Sequence, residues 1–238
     1  MICGLLYVLL FAHKYKKDIE DAAYMYVCGF LCCGIGAKVL YILVSFRQII
    51  EDIKTYGAVK AAVSHIQGGL VFYGGLLGAI AGAFITARFL KRDIHEYYPA
   101  LVPAVAIMAG LGRIGCHLTG CCYGAKTDSH LCVIFPEGGI APAGVPLVPV
   151  QLYEAVFEGV AVVALTLLPI LAPKLIRYML AIYVGTYAVF RFILEFWRAD
   201  DARGSWGPFS TSQWISLALI AFLLIKTLSD VRRADGKI

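Results

Sequence analysis

Charge is scarce in this chain. Only 16% of its 238 residues are Asp, Glu, Lys or Arg, against roughly 25% in an ordinary soluble domain. Hydrophobic residues make up 60% and the mean hydropathy is +0.77. A sphere of this size has too little interior for so many apolar side chains, whereas a bilayer is a solvent for them, so a soluble globular fold is excluded. Internal repeats of about 20 to 50 residues and low-complexity tracts are also missing, which leaves repeat-built transporters, collagen and coiled coils without support. No basic region precedes the apolar stretch Ile2 to Ala12 and no small-residue cleavage site follows it, so a cleavable signal peptide is not expected. The cysteines lack the spacing of a secreted disulfide framework: Cys28, Cys32 and Cys33 sit in an apolar run, and Cys116, Cys121 and Cys122 crowd together.

What remains is an all-α, polytopic membrane protein. Segments almost free of charge run over 1–13, 22–46, 68–90, 97–117, 150–173, 177–197 and 207–228. They predict about seven transmembrane helices, the first short for a hydrocarbon core about 30 Å thick. The net charge of +5 and pI near 8.7 arise from short basic clusters beside these runs, which sets orientation and gives no case for nucleic acid. Lys14, Lys16 and Lys17, then Arg88, Lys91 and Arg92, then Lys174 and Arg177, then Lys226, Arg232, Arg233 and Lys237 fall in alternate connections. The other side carries only Arg47, Lys54, Lys60, Lys126, Arg198 and Arg203. An excess of cations on the cytoplasmic side then puts the N-terminus outside and the C-terminus in the cytoplasm. Residues 1–238 form a single integral-membrane domain in this reading, with a long, Gly- and Pro-rich outer loop at about 118–149.

Charges inside the spans mark the site, because each costs about 2.5–3.5 kcal/mol to insert. Arg113 lies deep, with no acidic neighbour in sequence, and an always-charged guanidinium facing a bundle interior suits an anionic ligand such as a lipid phosphate. Tyr187, Arg191 and Glu195 are spaced i, i+4, i+8 with Arg198 three further on, so all four share one helix face. An Arg191–Glu195 ion pair that only neutralises itself is the plainer alternative. Gln151, Glu154 and Glu158 form a second polar face, suited either to pairing with the arginines or to holding glycerol hydroxyls. Lys38 reads as a ligand contact or a side chain reaching the nearer interface. Gly74, Gly78 and Gly82 make a small-residue stripe for close helix packing, and Gly68-Gly69 suggest a broken helix start. Gly110-Leu-Gly-Arg-Ile-Gly115 matches G-x-G-x-x-G by letter but joins no strand to a helix, so no dinucleotide is expected. The thiols Cys116, Cys121 and Cys122 beside His117 have soft-metal ligand types, yet small hydrophobes packing a glycine-rich turn is the simpler role; no metal and no cofactor are expected.

Five stretches then occur in one order: Gly36-Ala-Lys-Val-Leu-Tyr41, Gly68-Gly-Leu-Val-Phe-Tyr-Gly-Gly75, Gly112-Arg-Ile-Gly115 followed by Gly120 and Gly124, Gln151-Leu-Tyr-Glu154, and Arg191-Phe-Ile-Leu-Glu-Phe-Trp-Arg198. Together they resemble the prolipoprotein diacylglyceryl transferases over nearly the whole chain. The resemblance implies a seven-span enzyme of the bacterial inner membrane. Such an enzyme moves diacylglyceryl from phosphatidylglycerol to the lipobox cysteine thiol of a preprolipoprotein and releases glycerol phosphate. It makes Arg113 the signature arginine and Arg191 the second essential one, places Tyr73 where relatives carry histidine or tyrosine, and lets Gly124 close the signature. The catalytic set is then Arg113, Arg191, Glu195, Tyr73 and His117, the last three being candidate acceptors of the thiol proton. Gly74, Gly75, Gly124, Gln151, Glu154, Tyr187, Arg198 and Lys38 are substrate-binding candidates. This chain departs from the family at Cys116-His117, Thr119 and Cys121, where amide, aromatic and acidic residues are usual, and at Val148-Pro149, Lys38 and Cys3. Those departures keep two other readings open: a paralogue with a different acceptor or a thiol-redox role, and a non-catalytic protein that binds or transports anionic lipid.

Overall fold

The computed structural model describes residues 1–67, 71–198, 205–206 and 208–235. The chain forms two compact units, Met1–Leu101 and Val102–Ile238.

The first unit holds α1 (Ile2–Lys14), α2 (Ile19–Val44), α3 (Phe46–Tyr56), α4 (Ala58–Gln67) and α5 (Phe72–Phe89). Asp18 caps α2, its carboxylate accepting from the backbone N–H groups of Glu20 and Asp21, which satisfies donors that a helix start leaves open. Antiparallel to α2 runs α5, and the two touch backbone to backbone. A methyl added at Gly36 would overlap the Gly74 carbonyl, and one at Gly78 would overlap that of Cys32. Only glycine permits this approach, and close backbone packing is what holds helices together where lipid supplies no hydrophobic drive. At one end of the pair, Arg92 binds Asp21 at 2.5 Å and Lys17 binds Glu96 at 2.6 Å. The α1–α2 and α5–α6 connections therefore share an end, as the basic clusters of the sequence anticipate.

The second unit contains α6 (Tyr98–Leu118, which starts just before the boundary), α7 (Val150–Leu171), α8 (Met179–Leu194) and α9 (Thr211–Asp235). Between α6 and α7 the long loop is ordered: β1 (Val133–Ile134) pairs antiparallel with β2 (Pro146–Leu147). Beneath that hairpin Phe135, Ala141 and Leu147 form a small core with Tyr123, Val133 and Val145. A second two-residue hairpin, β3 (Ser205–Trp206) with β4 (Phe209–Ser210), leads into α9.

Among the described residues, each of the seven apolar segments is mainly helical. Among the described residues four helical stretches, Ile19–Val44, Ile94–Leu118, Val150–Leu171 and Pro173–Trp197, are long and apolar enough to cross a membrane, and Ile2–Lys14, Gly74–Phe89 and Ser212–Lys226 are shorter apolar helices. Their outward faces carry large bare side chains such as Leu10, Phe89 and Leu171, as a lipid solvent requires. Two helices, α3 and α4, occupy residues the sequence left as a connection. The suspected break at Gly68-Gly69 lies outside the described residues.

Candidate functional site

Three guanidinium groups and two carboxylates meet inside the second unit. From α6 comes Arg113, from α7 Glu154, from the end of α8 Arg191, and from the short turn that follows it Glu195 and Arg198. Glu154 is the hub. Its Oε2 lies 2.9 Å from Arg113 Nε and 3.8 Å from Arg198 Nη1, and its Oε1 lies 3.6 Å from Arg191 Nη1. Glu195 Oε2 takes Arg191 Nη2 at 2.7 Å and faces Arg198 Nε at 3.9 Å, while its Oε1 accepts the Ser210 hydroxyl at 2.9 Å. Arg113 has no acidic neighbour in sequence; of the two readings of the Glu154 face, pairing with the arginines is the one the fold shows, from 41 positions away.

The cluster is graded in exposure. The side chains of Arg191, Arg198, Glu154 and Glu195 are 6% exposed or less, whereas Arg113 keeps 21%. Arg113 is thus the guanidinium open to an incoming group, and the others form its buried support. Tyr187, one turn before Arg191 on α8, hydrogen-bonds the Arg113 side chain. The ion-paired groups carry one more positive than negative charge. Burying such a set is costly and seldom adds net stability over apolar packing, so its retention points to a ligand with negative charge.

The second polar face divides its work. Gln151, Glu154 and Glu158 are all buried, but each has a different partner. Gln151 donates to the Cys121 carbonyl at 2.8 Å, and Glu158 accepts the Tyr183 hydroxyl at 3.0 Å. The signature-closing Gly124 is a meeting point of backbones. Its N–H donates to Val148 O, Ala125 N–H donates to Trp197 O, and a Cβ at Gly124 would stand 2.6 Å from Val148 O and 2.7 Å from Trp197 O. That contact lays the loop beside Arg198, with which Gly124 forms a β-bridge.

His117 follows Arg113 by four residues on the same face of α6, edge-on to Phe135, with its Nδ1 buried and lacking a hydrogen bond among the described residues. In the turn after α6, burial raises the Cys121 thiol, but hydrogen bonds from Thr119, Cys116 and Cys122 outweigh it and leave the thiol below its ordinary pKa.

The remaining candidates lie in the first unit. Gly74 abuts Gly36, and a Cβ at Gly75 would reach Cys33 Sγ at 3.1 Å. Tyr73 is the second residue of α5, and its side chain lies outside the described residues. Lys38 donates to the carbonyls of His65 at 2.7 Å and Ile66 at 3.1 Å, a cation at the C-terminal turn of α4. Next to it is an arrangement the sequence did not reveal. His65 bridges the Tyr41 hydroxyl, 2.7 Å from Nδ1, and Asp52 Oδ2, 2.9 Å from Nε2. In the neutral imidazole the carboxylate can only accept, so Nε2 carries the proton and Nδ1 accepts from Tyr41. An isolated aspartate and histidine thirteen residues apart give no periodic signal; only the turn between α3 and α4 joins them.

Fold and site together define a helical membrane protein with a buried arginine–glutamate centre. Residues 1–228 match the family described as prolipoprotein diacylglyceryl transferase, and the chain belongs to that family. Similar proteins include the phosphatidylglycerol–prolipoprotein diacylglyceryl transferase 2 of Clostridium perfringens, 34% identical over 83% of this chain and 75% of that protein. The Clostridium tetani transferase of that name is 34% identical over 91% of this chain and 85% of its own length. A Geobacter sulfurreducens relative is 30% identical over 98% and 92%.

Proposed function

We propose that this protein transfers the diacylglyceryl group of phosphatidylglycerol to the lipobox cysteine thiol of a preprolipoprotein, releasing glycerol phosphate. The observation that carries the reading is the Arg113 guanidinium, partly open and held by Glu154 and Tyr187 over a buried ion network with one surplus positive charge. A phosphatidylglycerol headgroup carries one negative charge and fits that surplus. Family membership and the names of the relatives support the same reaction.

In this mechanism the thiol sulfur attacks the glyceryl carbon next to the phosphate, a carbon–sulfur bond forms, and the carbon–oxygen bond to phosphate breaks. Arg113 meets the charge that gathers on the leaving phosphate, where a preorganised donor is worth most. Arg191 and Arg198 fix Glu154, which aims Arg113, and Glu195 in turn holds those two buried arginines. Glu195 is committed to two arginines and to Ser210, so Tyr73 and His117 are the better acceptors of the thiol proton. Gln151 and Gly124 shape the wall of the lipid site, and the low-dielectric surroundings keep water from competing for the glyceryl carbon.

The finer topology belongs to this proposal: seven spans in the cytoplasmic (inner) membrane, N-terminus outside, C-terminus in the cytoplasm, residues 1–238 acting as one transferase. The deciding experiment is purified protein with phosphatidylglycerol and a lipobox peptide. Thioether-linked diacylglyceryl peptide with stoichiometric glycerol phosphate is the expected product; lipid binding without product would overturn the reading. Labelling of cysteines added at the termini reports the orientation, and an externally labelled C-terminus would remove it.

A further inference from the structure

We propose that Cys116, Cys121 and Cys122 form a three-thiolate site for one thiophilic metal ion of the Zn2+ or Cu+ class. This goes beyond lipid transfer and stands whether or not that reaction occurs. It also replaces the packing role that the sequence suggested for these thiols.

The three sulfur atoms lie within 4.8 Å of one another, the one such group of His, Cys, Asp or Glu ligands among the described residues. Sulfurs around a tetrahedral ion with metal–sulfur bonds near 2.3 Å are about 3.8 Å apart. Closure onto an ion therefore asks for roughly 1 Å of side-chain adjustment at most, which cysteine rotamers supply without moving the chain. None of the three is in a disulfide and all are half-buried, neither sealed from an entering ion nor loose in solvent. Thiolate ligands select soft ions over Mg2+ and Ca2+, whose oxygen shells this turn cannot provide.

The turn that presents the sulfurs is fixed before any ion arrives. Cys121 N–H donates to Cys116 O at 3.0 Å, the Thr119 hydroxyl donates to Cys121 Sγ at 3.3 Å, and Gln151 of α7 holds the Cys121 carbonyl at 2.8 Å. Gly120 takes φ +68°, and Cys122 takes φ +57° with a side chain attached. A non-glycine residue is strained in that left-handed conformation. The turn retains a cysteine where glycine would relieve the strain, and gains from it the third sulfur. His117 stands apart, its ring against Phe135, so the fourth position of a tetrahedral ion falls to water or a small anion. Cys116 is one helical turn beyond Arg113, and Gln151 is one turn before Glu154, so the ion would stiffen the turn that Gln151 already ties to α7, beside the partly open arginine and its counter-ion.

The test uses the full-length protein in detergent, reduced and stripped of metal, then exposed separately to Zn2+ and to Cu+ and exchanged into metal-free buffer. One ion per chain is expected from at least one arm, and which arm retains it names the ion. Cd2+ added to the same protein is expected to give thiolate-to-metal charge-transfer absorption. C121S/C122S should lose at least tenfold in affinity, and C28S/C32S/C33S should keep wild-type binding. A readout needing no variant is alkylation of the wild type: the retained ion should shield Cys116, Cys121 and Cys122 while Cys3 and Cys132 react as before. Retention of no ion in either arm, equal retention by C121S/C122S, or shielding of other cysteines would overturn the proposal. So would a thiol-to-disulfide conversion as the only reaction of the cluster.

Discussion

The two units place opposite materials in their interiors. In Met1–Leu101, α2 and α5 meet through glycine, alanine and cysteine, with backbone against backbone and the Arg92–Asp21 and Lys17–Glu96 ion pairs at one end. In Val102–Ile238, α6, α7 and α8 surround five ion-paired side chains, four of them almost wholly buried. Both interiors avoid lipid, but glycine packing gives cohesion alone, whereas the ion cluster spends stability on charge. The difference supports the site proposed above: a fold needing only cohesion has a simpler solution in the same chain.

The largest effects should come from removing the charge. Arg113→Ala is expected to lower transfer by about a hundredfold or more, the range for loss of a preorganised donor to developing charge. Arg113→Lys should recover little, since a point charge cannot replace a planar fork. Arg191→Ala should abolish transfer too and also cost about 3–5 kcal/mol, because Glu154 and Glu195 lose a buried counter-ion. Kinetics with the lipobox peptide and thermal unfolding in detergent separate the two, each variant first checked for membrane insertion. Near-normal transfer by either alanine variant would erase the contrast between the units.

The complementary change is steric. Gly78→Leu is expected to prevent α2 and α5 from docking, because even a methyl there overlaps the Cys32 carbonyl, and overpacking of a tight interface costs about 1–3 kcal/mol or more. Gly34→Ala on α2 meets nothing within 4 Å and should instead gain up to about 1 kcal/mol from helix propensity. Equal unfolding temperatures for the two variants would show that close backbone contact is not what holds this unit.

The parts legible in the sequence share one property, periodicity along a single helix. Long apolar runs announced the helices, and the spacings of Gln151, Glu154 and Glu158 and of Tyr187, Arg191 and Glu195 announced two polar faces. The i,i+4 pair Arg191–Glu195 was therefore visible as a possibility. That Glu154 serves three arginines at once was not, since the partners lie on different helices and nothing local encodes the distance. Helices α3 and α4 escaped notice because charged residues interrupt them. The order of the 119–149 loop rests on Phe135, Ala141 and Leu147 meeting across a hairpin, a contact that no helical or strand periodicity announces.

The smallest effects grade the ion centre from within. Tyr183 gives Glu158 its hydroxyl at 3.0 Å, and Ser210 gives one to Glu195 at 2.9 Å. The two bonds have similar length but different company. Glu195 keeps Arg191 at 2.7 Å when Ser210 is truncated, so Ser210→Ala should cost about 0.5–1.5 kcal/mol, the net worth of an ordinary hydrogen bond. Glu158 makes no ion pair among the described residues and is 2% exposed, so Tyr183→Phe leaves a buried carboxyl without that donor and should cost more, about 1–3 kcal/mol. Unfolding in detergent of both single variants and the double variant tests the order, and the two losses should add, because the groups share no partner. A larger loss from Ser210→Ala would mean that Glu195 depends on its hydroxyl more than on its arginines, and the centre would then be a hydrogen-bonded scaffold whose charges are incidental.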